Sequence, residues 1–277
     1  MRITLKGLAA RHPAAAAGSV PALKPLTLAI ASGEQVAIIG PSGAGKTTLL
    51  HALACALKPV AGELELDRID PWTLPVAQLQ KMRGRLFLAP QTPPLPPRQR
   101  VITSVLAARL PQQSLIASLR SLFYPAHIPA AHDALAKFDL ADKLWDRVDR
   151  LSGGERQRVG LARALVSGAS LWLIDEPLSS LDPSRATLAI ETLTHSARER
   201  GVTLVVTLHQ VDVATRFPRI VGLRSGELQF DLPSAQVTPE RLAALYTQHE
   251  HELHGAAPPP DDDAPPGTQL PAAIYGR

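Results

Sequence analysis

An α/β fold built on a parallel sheet is what this sequence predicts, and three observations carry the prediction. Short apolar runs alternate with stretches of helical periodicity. The runs Gln35 to Ile39, Leu171 to Ile174 and Val202 to Leu208 are largely apolar without alternation, as strands buried on both faces are. A glycine-rich loop from Gly40 to Gly45 stands between the first of these runs and a helical pattern.

Each element follows in chain order. Residues 2–8 alternate weakly and predict a first strand. Residues 9–25 are rich in Ala and Pro and predict a loop into a second strand, Leu26 to Ile30. Ser32-Gly33-Glu34 makes a turn into the third. Thr47 to Leu57 has a helix's periodicity, ending at Lys58-Pro59 because proline cannot continue it. Residues 60–70 read as a hairpin-like piece and 75–83 as a short helix. Arg85 to Ala89 is a strand that ends at Pro90-Gln91. The proline-dense 92–100 predicts a rigid, exposed connector. From Val101 to about Leu151 the pattern is helical, with breaks expected at Pro111, Pro125 and Pro129. Helical stretches precede the strands at 171–174 and 202–208. Arg219 to Leu223 and Glu227 to Asp231 predict two short strands around a Ser225-Gly226 turn. Pro239 to Gln248 predicts a last helix. Residues 249–277, with Pro258-Pro259-Pro260 and an Asp261–Asp263 run, cannot bury a core and predict a disordered tail.

Composition narrows the class. A chain of 277 residues suits one α/β domain with an inserted subdomain. The net charge of +4 is spread among acids, a solvated mixed surface rather than the concentrated basic patch of a nucleic-acid binder. No apolar run is long enough to span a bilayer, and no signal-peptide core follows Met1, so the expected site of action is cytoplasmic. The single cysteine, Cys55, lies among Leu49, Leu50, Leu53 and Leu57 at helical spacing and reads as core packing.

The chemistry begins at Gly40-Pro41-Ser42-Gly43-Ala44-Gly45-Lys46-Thr47, which matches the phosphate-loop pattern in full. Its glycines let successive amides point inward, and the helix that follows adds its N-terminal dipole, so a polyphosphate is held. Lys46 is expected to reach the β- and γ-phosphates, Thr47 to ligate Mg²⁺ and Thr48 to sit by the α-phosphate. Asp175 closes a buried strand, where carboxyl ends gather ligands, and is expected to hold Mg²⁺, with Glu176 beside it to polarise the attacking water. In Leu151-Ser152-Gly153-Gly154-Glu155, Ser152 can cap a helix while Gly153 and Gly154 leave amides bare for an anion.

This last segment, continued by Arg156-Gln157-Arg158-Val159-Gly160-Leu161-Ala162-Arg163-Ala164-Leu165, resembles the ATPases of the ABC-transporter family. The resemblance covers about residues 1–248 and implies a phosphate-loop NTPase domain over them. Such a domain has a RecA-like core, an antiparallel β subdomain and an inserted helical subdomain, here about 92–165. It also implies two ATPs sandwiched in a head-to-tail homodimer, where Ser152, Gly153 and Gly154 meet the γ-phosphate bound to the other chain. Gln91 resembles the glutamine that senses Mg²⁺ and the attacking water and joins the core to the helical insert. Asp182, in Ser179-Ser180-Leu181-Asp182, resembles part of a loop that crosses the dimer interface. His209 resembles the switch histidine at the γ-phosphate. Where the family usually has an aromatic residue to stack on adenine, this chain has His12, either a substitute or an ordinary loop residue.

One nucleotide domain without a membrane segment is how bacterial importers of this family are typically built. Leu208-His209-Gln210-Val211-Asp212-Val213-Ala214, the stretch Arg219–Gly226 with Phe230-Asp231, and Arg120-Ser121-Leu122-Phe123 resemble the phosphonate-importer group. That implies a peripheral subunit on the cytoplasmic face of the inner (plasma) membrane. Its partners would be an integral membrane permease and, indirectly, a periplasmic or lipid-anchored solute-binding protein, with no nucleic acid. The alternatives are an importer for another solute, such as a metal or an amino acid, and a soluble ATP-switched module without a permease.

Overall fold

The computed structural model describes residues 1–12, 19–113 and 127–247. Strands β1 (Ile3–Ala10), β2 (Leu23–Ile30) and β4 (Ala61–Leu66) form an antiparallel sheet in the order β2-β1-β4. Along β2 the period of two is plain: Leu26, Leu28 and Ile30 are buried, while Thr27 and Ala29 face out.

The second sheet holds β3 (Gln35–Ile39), β5 (Leu86–Ala89), β6 (Leu171–Asp175), β7 (Thr203–Leu208), β8 (Arg219–Arg224) and β9 (Glu227–Pro233), in the order β5-β6-β7-β3-β8-β9. All pairings but β8–β9 are parallel. Strands β3, β6 and β7 are buried at every position, the reason their sequences show no alternation. Ile39 pairs with Leu208 and Asp175 with Thr207, so the loops after β3, β6 and β7 open at one edge of the sheet. Ligands of such sheets gather at that edge.

Helix α1 (Lys46–Leu53) follows β3, and α2 (Val76–Arg83) precedes β5. Helices α3 (Val101–Leu106), α4 (Ile128–Ala136) and α5 (Gly153–Val166) pack on one another around Val101, Val105, Leu135, Phe138 and Leu161. Helices α6 (Pro183–Glu199), α7 (Val211–Ala214) and α8 (Pro239–Leu245) complete the chain. The predicted class, a phosphate-loop α/β core with an antiparallel sheet and a helical layer, is the architecture found. Among the described residues no helix is long and apolar enough to cross a membrane.

Several boundaries differ from the sequence reading. Helix α1 stops at Leu53 rather than Leu57, well before Pro59. Cys55 adopts a left-handed φ of 54°, and the amides of Ala56 and Leu57 both turn back to the His51 carbonyl. Arg83 seals this turn with two hydrogen bonds to the Cys55 carbonyl, at 3.1 and 2.6 Å. The Cys55 thiol is fully buried, and burial pushes its pKa up to about 12, which suits a packing role.

The hairpin-like piece at 60–70 is a tight turn: left-handed Asp67 and Arg68 reverse the chain, and Leu66 and Ile69 exchange backbone hydrogen bonds at 2.9 and 3.0 Å, while strand β4 itself pairs with β1. The expected loop at 9–25 is shorter, because β1 runs to Ala10 and β2 begins at Leu23, where the Lys24 amide is tied to the Gly226 carbonyl. Pro129 starts α4 rather than breaking it, since a first-turn residue needs no amide donor. Helix α8 ends at Leu245. Pro125, Arg120–Phe123 and the tail 249–277 lie outside the described residues.

Candidate active site

The loop between β3 and α1 is built on backbone that only glycine takes easily. Gly43 and Gly45 have φ of 75° and 96°. A Cβ at Gly40 would lie 2.0 Å from the Leu223 carbonyl oxygen, because β8 passes directly against the loop. Lys46, 4% exposed, folds back along the loop and donates from Nζ to the carbonyls of Gly40 at 2.7 Å and Pro41 at 3.2 Å. A cleft of about 700 Å³ opens over these residues. It is lined by residues 42–48, by Gln91, Glu176 and His209, and by His12. That volume accommodates a nucleotide.

Within the cleft the predicted residues converge on Glu176. Gln91 Nε2 donates to its Oε2 at 2.8 Å, and His209 Nε2 lies 2.5 Å from its Oε1. Lys46 Nζ is 3.9 Å from the same Oε1. Gln91, Glu176, His209 and Lys46 follow different strands of the sheet, so one edge of the sheet assembles them. Burial pushes the Glu176 carboxyl up, but the hydrogen bond and charge of His209, with the charge of Lys46, outweigh it and hold the group below its ordinary range. Glu176 is therefore a carboxylate at neutral pH, able to accept a proton.

Thr207 escaped the sequence reading. Its hydroxyl donates to Asp175 Oδ1 at 2.6 Å and accepts from the Glu176 amide at 2.9 Å. The signal for it was one hydroxyl in an otherwise apolar run, Leu204 to Leu208. Glu176 itself has a left-handed φ of 45°, uncommon for a residue with a side chain. Asp175 is 4% exposed and does not line the cleft.

Ser152, Gly153, Gly154 and Asp182 are not brought into this chain's own cleft. Ser152 caps α5 in a reciprocal box: its Oγ accepts from the Glu155 amide at 3.2 Å, and Glu155 Oε2 accepts from the Ser152 amide at 2.7 Å. Ser152→Ala should cost about 1 kcal/mol of stability, read from the midpoint of denaturant unfolding. An unchanged midpoint would show that the cap carries no weight. A Cβ on Gly154 would come within 2.8 Å of the Ser180 carbonyl, so the glycine segment and the Ser179–Asp182 stretch touch within the chain. Asp182 caps α6 by accepting from the Arg185 amide at 3.0 Å, and Ser184 donates to it at 2.6 Å.

The Thr47 hydroxyl, the Gln91 side-chain oxygen and the Asp175 carboxylate are hard oxygen donors. Gln91 spends its amide nitrogen on Glu176, which leaves its oxygen for a cation. One carboxylate with neutral oxygens and substrate phosphates is a donor set that fits Mg²⁺.

A phosphate loop, a buried strand-end carboxylate and an ionised Glu176 held beside the loop define a nucleoside-triphosphatase of the phosphate-loop class. The model of the ABC transporter family matches residues 23–179, and the chain belongs to that family. It is accordingly an ATP-binding, ATP-hydrolysing subunit of the ABC type. It is 67% identical over 266 residues to phosphonates import ATP-binding protein PhnC 2 of Albidiferax ferrireducens, covering 96% of each chain. To phosphonates import ATP-binding protein PhnC of a Polaromonas species it is 63% identical over 278 residues, covering 100% of each. Among solved structures it resembles a dimeric, post-hydrolysis state of the ATP-binding cassette MJ0796 bound to ADP and phosphate. There the TM-score is 0.72 and the identity 29%, over 84% of this chain and 98% of that one.

Proposed function

We propose that this chain powers the import of a phosphonate, or a related phosphorus oxyanion, through a partner membrane permease. The observation that carries this is end-to-end identity of 67% and 63% to two phosphonates import ATP-binding proteins. Two copies bind ATP and close head to tail, as the dimeric form of the similar cassette supports. The phosphate loop Gly40–Thr47 and Thr48 hold the triphosphate, and Lys46 reaches its terminal phosphates. Ser152, Gly153, Gly154 and Asp182, all outside their own cleft, serve the partner copy's site.

Thr47, Gln91 and Asp175 would hold Mg²⁺, which would neutralise charge on the phosphate oxygens. Glu176 accepts a proton from the attacking water, and His209 contacts the γ-phosphate. Catalysis of this kind is mainly positioning and charge stabilisation. His12 lies in the cleft wall, where an imidazole can stack on a base. Gln91 links the cleft to the helical subdomain, about 92–165 within a domain of 1–248, and closure reaches the permease through it. The subunit works peripherally at the cytoplasmic face of the inner membrane, with a periplasmic or lipid-anchored binding protein choosing the solute. Nucleic acid plays no part.

Uptake of a labelled phosphonate by cells lacking this chain tests the reading. Wild type should restore uptake, and Glu176→Gln should not. Uptake that persists without the chain would remove the phosphonate assignment. Purification without any co-purifying membrane protein would favour a soluble ATP-switched module.

A further inference from the structure

We propose that Thr207 is the positioning residue for Glu176: its hydroxyl fixes the Glu176 backbone and thereby aims the carboxylate. This rests on the reading of Glu176 as the base. Thr207 is fully buried in β7 and pairs in register with Asp175 of β6. Asp175 Oδ1 accepts the hydroxyl proton at 2.6 Å, which turns an oxygen lone pair toward the Glu176 amide at 2.9 Å. Every other residue of Leu204 to Leu208 is apolar, so packing alone asks for no hydroxyl here.

The left-handed Glu176, φ 45°, needs such a restraint. Strained backbone persists where surrounding contacts over-determine it. The side-chain contacts from Gln91 and His209 act at the far end of Glu176. The amide is held by Thr207. Without that bond the peptide can relax toward negative φ, and the carboxylate swings away from the partners that order it. Asp175 here serves a second purpose, as the group that sets the direction of the hydroxyl.

Thr207→Val keeps the shape and deletes the hydroxyl. Steady-state hydrolysis by the full chain should fall about ten- to a hundredfold, the penalty of a misplaced group. ATP affinity, measured by equilibrium binding without turnover, should be unchanged. Thr207→Ser should restore most of the rate. Thr207→Ala, which leaves no methyl against Asp175, carries the same expectation as valine if the valine variant melts early. Combined with Glu176→Gln, Thr207→Val should slow hydrolysis no further, because it acts through the same group. A wild-type rate in Thr207→Val, equal loss in the Ser and Val variants, or additive losses in the double variant would each overturn the inference. If Glu176→Gln itself hydrolyses at the native rate, the base assignment falls and this inference with it. If Glu176→Gln is inactive while Thr207→Val is not, only the inference falls.

Discussion

Glu176→Gln should lower ATP turnover by about 10²- to 10⁴-fold while leaving ATP bound. The substitution keeps the side chain's size but removes its charge and its capacity to take a proton. In the structure this carboxylate is the meeting point of Gln91 at 2.8 Å, His209 at 2.5 Å and Lys46 at 3.9 Å. Its pKa is lowered in spite of burial, so it remains ionised at acidities that protonate an ordinary glutamate. Loss of its base form should therefore set in only below the usual carboxylate range as pH falls. Single-turnover hydrolysis and size-exclusion chromatography with ATP check the first expectation, the variant persisting as an ATP-bound dimer. Native turnover in Glu176→Gln would take the base role from this residue.

Lys46→Ala should weaken ATP binding by about a hundredfold, equivalent to about 3 kcal/mol. The buried ammonium bonds the Gly40 and Pro41 carbonyls, which places its charge where the phosphate-loop amides converge. Alanine removes that charge and also the Nζ donor to both carbonyls, of which Pro41 keeps the Ala44 amide at 3.1 Å. The loss should therefore appear in affinity, measured by nucleotide titration, before it appears in rate. Unchanged affinity would mean that the loop does not hold the phosphates. The two substitutions separate the halves of the site, one binding without turnover and the other failing to bind.

Much of this site could be read from local pattern. The phosphate loop is contiguous and flanked by strand and helix, so its spacing alone specifies it. Asp175 was legible because an apolar run ends in a carboxylate, and the Ser152 cap because N-cap preference is a local rule; the return bond from Glu155 came only with the structure. Thr207 was not legible. Its meaning lies in the pairing of β7 with β6, and a threonine in a strand is ordinary by propensity. The end of α1 was misplaced for a similar reason. Proline at 59 is a visible stop, but the stop in force is the turn at Cys55 sealed by Arg83 from another helix. At 60–70 the local turn is present, with Leu66 bridged to Ile69, but the strand's main partner is β1, more than fifty residues earlier, which no local pattern shows.

By itself the sequence determined the α/β class, the buried strands, the phosphate loop and the identities of the charged groups around it. These depend on the order of neighbouring residues and on hydrophobic periodicity, which are local. Only the tertiary structure decided that Gln91, His209 and Lys46 all reach one carboxylate, that Thr207 holds that carboxylate's backbone, and that Ser152 and Asp182 stand outside their own cleft. Those facts arise where parallel strands distant in sequence bring their carboxyl ends to one edge, and no local rule encodes which distant strands become neighbours.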